Sequence, residues 1–166
     1  MYLTIKDFIG DWKEESDSTI KVFSQIPDTD KSVKARENIR SLERLAWHIT
    51  QTLTEMPKSA GITSNDPLEN KDVPETFSNI VEIYKQQSAR LIKILQNSWK
   101  DEDLLKELNI YGQVWQGRKL LSALVKHQIH HRAQMTTLMR LQELSVPGIY
   151  GPSKEEWSQY GMEAQE

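Results

Sequence analysis

The chain has 166 residues, of which 37% are hydrophobic and 27% charged, and its formal net charge is −3. This length fits one domain with a buried core, and the acidic balance argues against nucleic acid as the main partner, since phosphate binding needs a basic surface. The absence of cysteine excludes disulfides, thiolate ligands and a cysteine nucleophile, and no apolar stretch reaches the roughly 20 residues of a membrane span.

Apolar residues recur at helical spacing through the first half of the chain, and prolines mark where two helices should end. The first helix is expected from about Ile5 to Gln25, because Pro27 follows it. The second is expected from about Ala35 to Met56, immediately before Pro57. Residues 57–73 contain prolines, a glycine and an Asn-Asp-Pro sequence, and they are expected to form a long connection across the bundle.

The second half continues the helical period, interrupted by one loop rich in glycine and aromatic residues. A third helix is expected to begin near Pro74, and Asp101 to Leu108 is a candidate short helix. Residues 110–117 form the glycine and aromatic loop, which could be extended. The fourth helix is expected from about Arg118 to Leu144, and the capping-box pattern Ser153 to Glu156 indicates a last short helix.

Four long helices with one or two long connections predict an all-α fold, namely a four-helix bundle with a short C-terminal helix. No run of alternating polar and apolar residues indicates a sheet. We expect a single domain that spans residues 1–166. The first residues do not resemble a signal peptide, so a cytoplasmic location is expected.

Three of the four histidines lie within the segment 127–131, on the predicted fourth helix. In a helix, His127 and His131 are rotated by only about 40° and separated by about 6 Å along the axis. Both lie on or beside the apolar stripe of this helix, so their imidazoles could converge on one ion. His130 falls about 300° from His127 and is expected at the surface or at the boundary of the buried face.

The remaining histidine, His48, flanks the apolar arc of the second helix beside small polar residues such as Thr52. A single histidine at such an edge is more often a hydrogen-bonded packing residue, and a pair four positions apart can arise by chance. Three imidazoles that border the core nevertheless favour a metal site, because packing them without a partner leaves polar groups to satisfy. A third alternative is that they bind no ion and satisfy one another through buried water.

Other polar residues of the fourth helix have structural interpretations. Gln128 and Gln142 point inward in the same projection, and a hydrogen bond across the bundle is favoured over a role in lining a pocket. Arg132, Gln134 and Arg140 are expected to be solvated or to lie at the boundary of the buried face.

Two helical segments carry a recognisable pattern, Leu45-Ala46-Trp47-His48 and the run 127–134, which is followed by Leu138-Met139-Arg140. The loop Tyr111-Gly112-Gln113-Val114-Trp115 and the tail 146–153 belong to the same pattern. Together these segments resemble the DinB-like superfamily, in particular the Bacillus-type DinB proteins. The architecture matches over nearly the whole chain, whereas motif identity is confined to these segments.

The resemblance implies a four-helix bundle, commonly a homodimer, that holds a divalent metal with three histidines. Carried over position by position, the ligands are His48, His127 and His131, and Ala133 stands where glycine is frequent, a change that a helix tolerates. Zinc or nickel is the first choice for the metal, and iron, manganese or copper are alternatives. Relatives include metal-dependent transferases and isomerases that use low-molecular-weight thiols such as bacillithiol or mycothiol.

These observations support two hypotheses for function. The first is a metal-dependent transferase or hydrolase that acts on a small-molecule substrate, with any thiol entering from solution because the chain has no cysteine. The second is a non-catalytic, stress-associated helical-bundle dimer with a structural metal. An open coordination position would favour the enzyme, and closure by a fourth protein ligand would favour the dimer. No catalytic residue is identified, and no membrane partner is expected.

Overall fold

The computed structural model describes residues 1–164 and confirms the predicted all-α fold. In this part of the chain, four long helices pack around a hydrophobic core, and a small hairpin and two 3₁₀ turns complete the structure. The helices are α1 (Ile5–Phe23), α2 (Leu42–Ser59), α3 (Phe77–Ser98) and α4 (Gly117–Leu141). The strands are β1 (Glu107–Ile110) and β2 (Gln113–Gln116), and the 3₁₀ turns are Asp101–Leu105 and Trp157–Tyr160. No helix among these described residues has the length and apolar character to cross a membrane.

Each of the first three helices begins at a hydroxyl side chain that satisfies a free backbone N–H group. The Thr4 hydroxyl accepts a hydrogen bond from the N–H of Asp7, and the Asp7 carboxylate accepts one from the N–H of Thr4, which completes a capping box. Ser41 and Thr76 cap α2 and α3 through the N–H groups three residues further on. Local chemistry therefore sets where these helices start.

The start of α2 differs from the prediction. The helix begins at Leu42 and not at Ala35, because Ser41 has an extended backbone and caps the first turn. Residues 24–41 consequently form a long connection outside the helix, and Ile39 within it is 36% exposed. Ile39 therefore does not belong to the apolar face of α2.

The end of α2 also differs from the prediction, since the helix continues through Pro57 to Ser59. A proline so close to a helix end removes one backbone hydrogen bond and leaves the earlier turns intact. The connection to α3 is shifted accordingly, to residues 60–76. Trp47 packs beneath it, and its Nε1–H donates a hydrogen bond to the carbonyl of Lys71 at 3.2 Å.

The segment before α4 folds as an antiparallel hairpin of β1 and β2. Tyr111 and Gly112 form its two-residue turn with φ values of 51° and 75°, the left-handed conformations that a type I′ turn requires. The predicted short helix is correct only as far as Leu105, because the chain enters β1 at Glu107. The loop 110–117 is largely extended.

The C-terminal helical turn lies later than the prediction places it. The carboxylate of Glu156 accepts hydrogen bonds from the N–H groups of Gly148 at 2.9 Å and Ser153 at 3.2 Å. These contacts fold the tail into a turn, and the helical turn itself is Trp157–Tyr160. The capping-box residues therefore close a loop and do not start a helix.

Polar side chains cross the centre of the bundle beside the hydrophobic core. Gln128 is fully buried, its Oε1 accepts a hydrogen bond from the Tyr84 hydroxyl at 2.6 Å, and the Thr19 hydroxyl lies 3.1 Å away. The half-buried Gln142 donates from Nε2 to the carbonyl of Val33 at 3.3 Å. The predicted hydrogen bond across the bundle is therefore confirmed for Gln128.

Arg132 does not lie at the surface, so that prediction is wrong. The residue is 1% exposed, and its Nη2 lies 2.5 Å from a carboxylate oxygen of Glu15 on α1. It also donates hydrogen bonds to the Glu15 carbonyl at 2.8 Å and to the Tyr150 hydroxyl at 2.6 Å. These partners compensate the loss of hydration of the buried charge. Arg140 lies at the surface as expected, where it pairs with Glu155.

Candidate metal centre

Helices α2 and α4 pack against each other and bring together the three histidines that the sequence singles out. One ligand nitrogen from each of His48, His127 and His131 lies within 4.8 Å of the other two. The ring centroids are between 4.4 and 4.9 Å apart, and the Nε2 atoms of His48 and His127 are separated by 3.1 Å. The structure thus places all three predicted ligands around a common point.

Helical phase explains this convergence. His127 and His131 are one turn apart on α4, so their rings project from the same side of that helix. His48 faces them from α2, where the neighbouring Leu45 and Ile49 are buried in the core. All three imidazoles are half-buried as a result, at the border between the core and the outer cavities.

The spacing of the nitrogens fits a transition metal. Two nitrogens bound to one tetrahedral zinc at about 2.0–2.1 Å lie roughly 3.3 Å apart, close to the 3.1 Å between the Nε2 atoms of His48 and His127. Without an ion, these two atoms can share only one proton between them. Three imidazoles also form a donor set that suits divalent first-row metals. The residues present therefore fit such an ion.

The surroundings keep the imidazoles neutral, which is the form that binds metals. Burial is the main cause that lowers the pKa of His48 and of His127 to about 4. Electrostatic repulsion from His131 and from the guanidinium of Arg40 lowers both pKa values further. Burial also lowers the pKa of His131, against the opposing effect of a hydrogen bond to Gln134. At neutral pH the three lone pairs are available to an ion.

Gln134 positions one of the three rings. Its Oε1 lies 2.7 Å from Nδ1 of His131, and its Nε2 lies 3.2 Å from Nε2 of His130. Since an amide oxygen can only accept a hydrogen bond, this contact places the proton of His131 on Nδ1 and leaves the lone pair on Nε2. This role of Gln134 was not predicted, although its spacing of three residues from His131 on one helix was a usable signal.

The centre is open on the protein side. Among residues 1–164, no aspartate, glutamate or fourth histidine joins the group formed by His48, His127 and His131. His130 is exposed and faces Gln134, in agreement with its predicted surface position. Three protein ligands would leave at least one coordination position for a small molecule.

Two cavities border the centre, each beside a different histidine. The first, which we name the His131 cavity, has a volume of about 600 Å³. Its lining is largely apolar and includes Ile39, Arg40, Leu45, Gln134, Leu138 and Leu141. The sequence did not point to Arg40, because the second helix was expected to include it, whereas it lies in the irregular connection before α2.

The second cavity, which we name the His48 cavity, has a volume of about 490 Å³. It is lined by polar and charged residues, among them Gln51, Glu55, Lys58, Asp66 and Glu69. Lys58 pairs with Glu69 at 2.7 Å, and Tyr111 at the tip of the hairpin donates a hydrogen bond to Glu55 at 2.6 Å. The two cavities therefore differ strongly in polarity.

The fold and the site define a class of protein, namely four-helix bundles that present a candidate three-histidine metal centre between their helices. The chain belongs to the DinB family, whose family model matches residues 1–165. The resemblance drawn from the two helical motifs, the loop and the tail is thereby confirmed.

Bacillus proteins are among its relatives. The chain is 36% identical over 164 residues to the uncharacterized protein YrdA of Bacillus subtilis, covering 99% of this chain and 98% of that protein. The crystal structure of a DinB-like protein from Bacillus cereus ATCC 10987 is 32% identical with a TM-score of 0.84, covering 90% of this chain and 100% of that one. A DinB-like protein of Bacillus subtilis, YjoA, has a TM-score of 0.70 at 20% identity, over 88% of this chain and 98% of that one, and supports the fold alone.

Proposed function

We propose that this protein is a metal-dependent transferase or hydrolase that acts on a small molecule. The metal would be a divalent transition ion held by His48, His127 and His131. The observation that carries the proposal is the approach of three half-buried ligand nitrogens to within 4.8 Å of one another, with no fourth ligand among the described residues. A structural metal is normally closed by four protein ligands, so this donor set is typical of a catalytic site.

A bound ion of this kind supplies Lewis-acid activation of a water or thiol nucleophile near neutral pH. The protein residues would supply the ligands and their orientation. Burial keeps His48 and His127 neutral, and Gln134 holds His131 with its Nε2 lone pair free. Because the chain contains no cysteine, a thiol nucleophile would have to come from a low-molecular-weight thiol in solution.

The two cavities favour a transferase over a hydrolase. A transfer reaction needs room for a donor and an acceptor, whereas hydrolysis needs only one organic molecule and water. The His131 cavity offers an apolar lining and the His48 cavity a polar one, and each includes one histidine of the centre in its lining. A thiol in one cavity and an acceptor in the other would both have their reacting groups close to the ion.

Zinc or nickel is the proposed metal, with iron, manganese or copper as alternatives, because imidazole ligands accept all of these ions. The homodimer, the cytoplasmic location and the single domain over residues 1–166 stay predictions from the sequence.

Metal analysis of variants tests the proposal. Protein expressed without a histidine tag should carry about one ion per chain, and the His48→Ala and His131→Ala variants should lose it. The matched control is His130→Ala, which removes a neighbouring exposed imidazole and should keep the ion. Equal metal content in all four proteins, or none in any, would contradict the proposed centre.

Turnover separates the enzyme from a bundle with a structural metal. The metal-loaded protein should accelerate the reaction of bacillithiol with a panel of alkyl and aryl halides, or the hydrolysis of p-nitrophenyl esters. The His131→Ala variant should lose this activity, and His130→Ala should retain it. A stoichiometric ion without any turnover of these substrates would favour the non-catalytic alternative.

A further inference from the structure

We propose that the His131 cavity binds a small organic anion with an apolar body, and that Arg40 pairs with its charged group. The inference rests on the proposed function in that the bound molecule would be a substrate of the three-histidine centre. The binding itself can be measured without turnover.

The cavity has the size and the lining for such a molecule. Its volume of about 600 Å³ is typical of a small-ligand site, which combines apolar walls with a few polar groups that set orientation. Leu45 and Leu138 are only 3% and 6% exposed and form the inner wall, whereas Leu141 is 66% exposed and lies at the rim. An apolar body would lie against these leucines, next to His131.

Arg40 provides a charge that the fold does not use. Within residues 1–164 its guanidinium has no ion pair and no side-chain hydrogen bond, whereas Arg132 and Arg140 each bind a carboxylate. No aspartate or glutamate lines the His131 cavity. An unpaired guanidinium with five N–H donors at the rim of an apolar cavity is suited to a carboxylate or a similar anion.

Arg40 is also close to the histidines. Its positive charge contributes to the lowered pKa of His48, His127 and His131 alike, so the guanidinium lies within electrostatic reach of the whole centre. An anion bound at Arg40 would therefore place the rest of its molecule beside the metal ligands.

The segment that contains Arg40 also carries more positive than negative charge. The segment 31–44 carries five lysines and arginines against two glutamates, although the whole chain has a net charge of −3. The His48 cavity has the opposite balance, with Glu55, Asp66 and Glu69 against Lys58. The two cavities therefore discriminate by charge, and the anion belongs in the one beside His131.

A matched pair of ligands, one charged and one neutral, tests whether the His131 cavity prefers an anion. The protein as purified would be titrated with 4-phenylbutyrate and with the neutral 4-phenylbutyramide at about 20 mM salt, where screening is weak, and binding followed by ¹H–¹⁵N NMR. We expect the acid to bind about fivefold more tightly than the amide, with shifts centred on Leu138 and Leu141. In the Arg40→Gln variant the two ligands should bind within about twofold of each other.

Two further variants serve as controls. Arg36→Gln removes an exposed arginine of the same segment that does not line the cavity, and it should keep the fivefold preference. Leu141→Ala should weaken the acid and the amide alike, because it removes apolar contact and leaves the charge. The inference is overturned if the amide binds as well as the acid, if the preference persists in Arg40→Gln, or if Arg36→Gln loses it equally.

The test separates this inference from the proposed function. The Arg40→Gln variant retains all three histidines, so direct binding of the acid to a metal would survive the substitution and would count against Arg40. Metal content measured in the same samples reports on the centre independently. A bound ion without an acid preference would defeat only the anion site, and an acid preference without an ion would defeat only the metal centre.

Discussion

Gln134 accepts a hydrogen bond from Nδ1 of His131 at 2.7 Å, from a position three residues further along the same helix. This contact limits rotation of the imidazole and selects the tautomer whose Nε2 lone pair is free. Metal-binding histidines generally have such a partner on the nitrogen that does not face the ion. The candidate centre therefore includes an orienting residue as well as its three ligands.

Replacing Gln134 should weaken metal binding without unfolding the protein. The Gln134→Ala variant should bind the ion about tenfold less tightly, because His131 loses the acceptor that orients it. Competition with a chromogenic chelator measures this change. Gln86→Ala on α3, which removes another exposed glutamine of a helix, is the control and should bind as the parent does. Equal affinities for the two variants would contradict the orienting role of Gln134.

The lowered histidine pKa values predict how the stability of the metal-free protein depends on pH. In the unfolded chain the imidazoles take up protons near pH 6.5, whereas in the folded protein His48 and His127 do so only at about pH 4. Between these values the unfolded state binds more protons, so the free energy of unfolding should fall as the pH falls from about 6.5 to about 4. The stability that the two neutral imidazoles contribute is fully present above about pH 6.5 and is lost as the pH falls to about 4.

Urea unfolding at a series of pH values checks this dependence after removal of metal by a chelator. The His127→Gln variant should show a smaller decrease than the parent across the window, because one of the two imidazoles is absent. Gln86→Ala removes an exposed side chain that carries no charge and should leave the decrease unchanged. If the free energy of unfolding of His127→Gln falls as steeply with pH as that of the parent, the pH dependence does not come from these histidines.

Helical phase accounts for what the sequence predicted well. The period of apolar residues determines both the extent of the long helices and the direction of each side chain, so His127 and His131 could be placed on one face before any tertiary contact was known. His48 could be placed at the edge of the core by the same reasoning. The distance between α2 and α4 could not be predicted in this way. The edges of these helices that carry the histidines face the same interior, however, and this leaves few places where they can meet.

The predictions that were wrong or missing have a different physical origin. Arg132 lies about 140° from His127 on the helical wheel, at the edge of the apolar arc, and this position was a signal for burial. Its partner Glu15 is 117 residues away, so no local pattern could supply the compensating charge. The start of α2 was misplaced because helical propensity continues upstream of the Ser41 cap. Arg40 was missed because its position depends on the irregular connection that precedes this cap.

The buried pair of Arg132 and Glu15 should be important for stability. Arg132→Met leaves the carboxylate of Glu15 without its charged partner, so the free energy of unfolding should fall by about 3 kcal/mol. Arg140→Met breaks an exposed pair with Glu155 and should lower it by less than about 1 kcal/mol. Urea denaturation of the two variants makes the comparison. Similar losses of unfolding free energy in the two variants would mean that burial does not determine how much an ion pair stabilises this protein.

Two glycines in helices should respond in opposite ways to alanine. A Cβ at Gly117, where α4 begins, would lie 2.6 Å from the carbonyl oxygen of Asp103 and 2.9 Å from the ring of Trp99, so Gly117→Ala should destabilise the protein by about 2 kcal/mol. A Cβ at Gly10 in α1 would meet no atom of a neighbouring element within 4 Å, and Gly10→Ala should stabilise the protein by about 0.5 kcal/mol through the better helix propensity of alanine. Thermal unfolding followed by circular dichroism measures both changes. Since the substitution is the same, a gain of stability at both positions would show that the close approach of Asp103 and Trp99 does not restrict the residue at position 117.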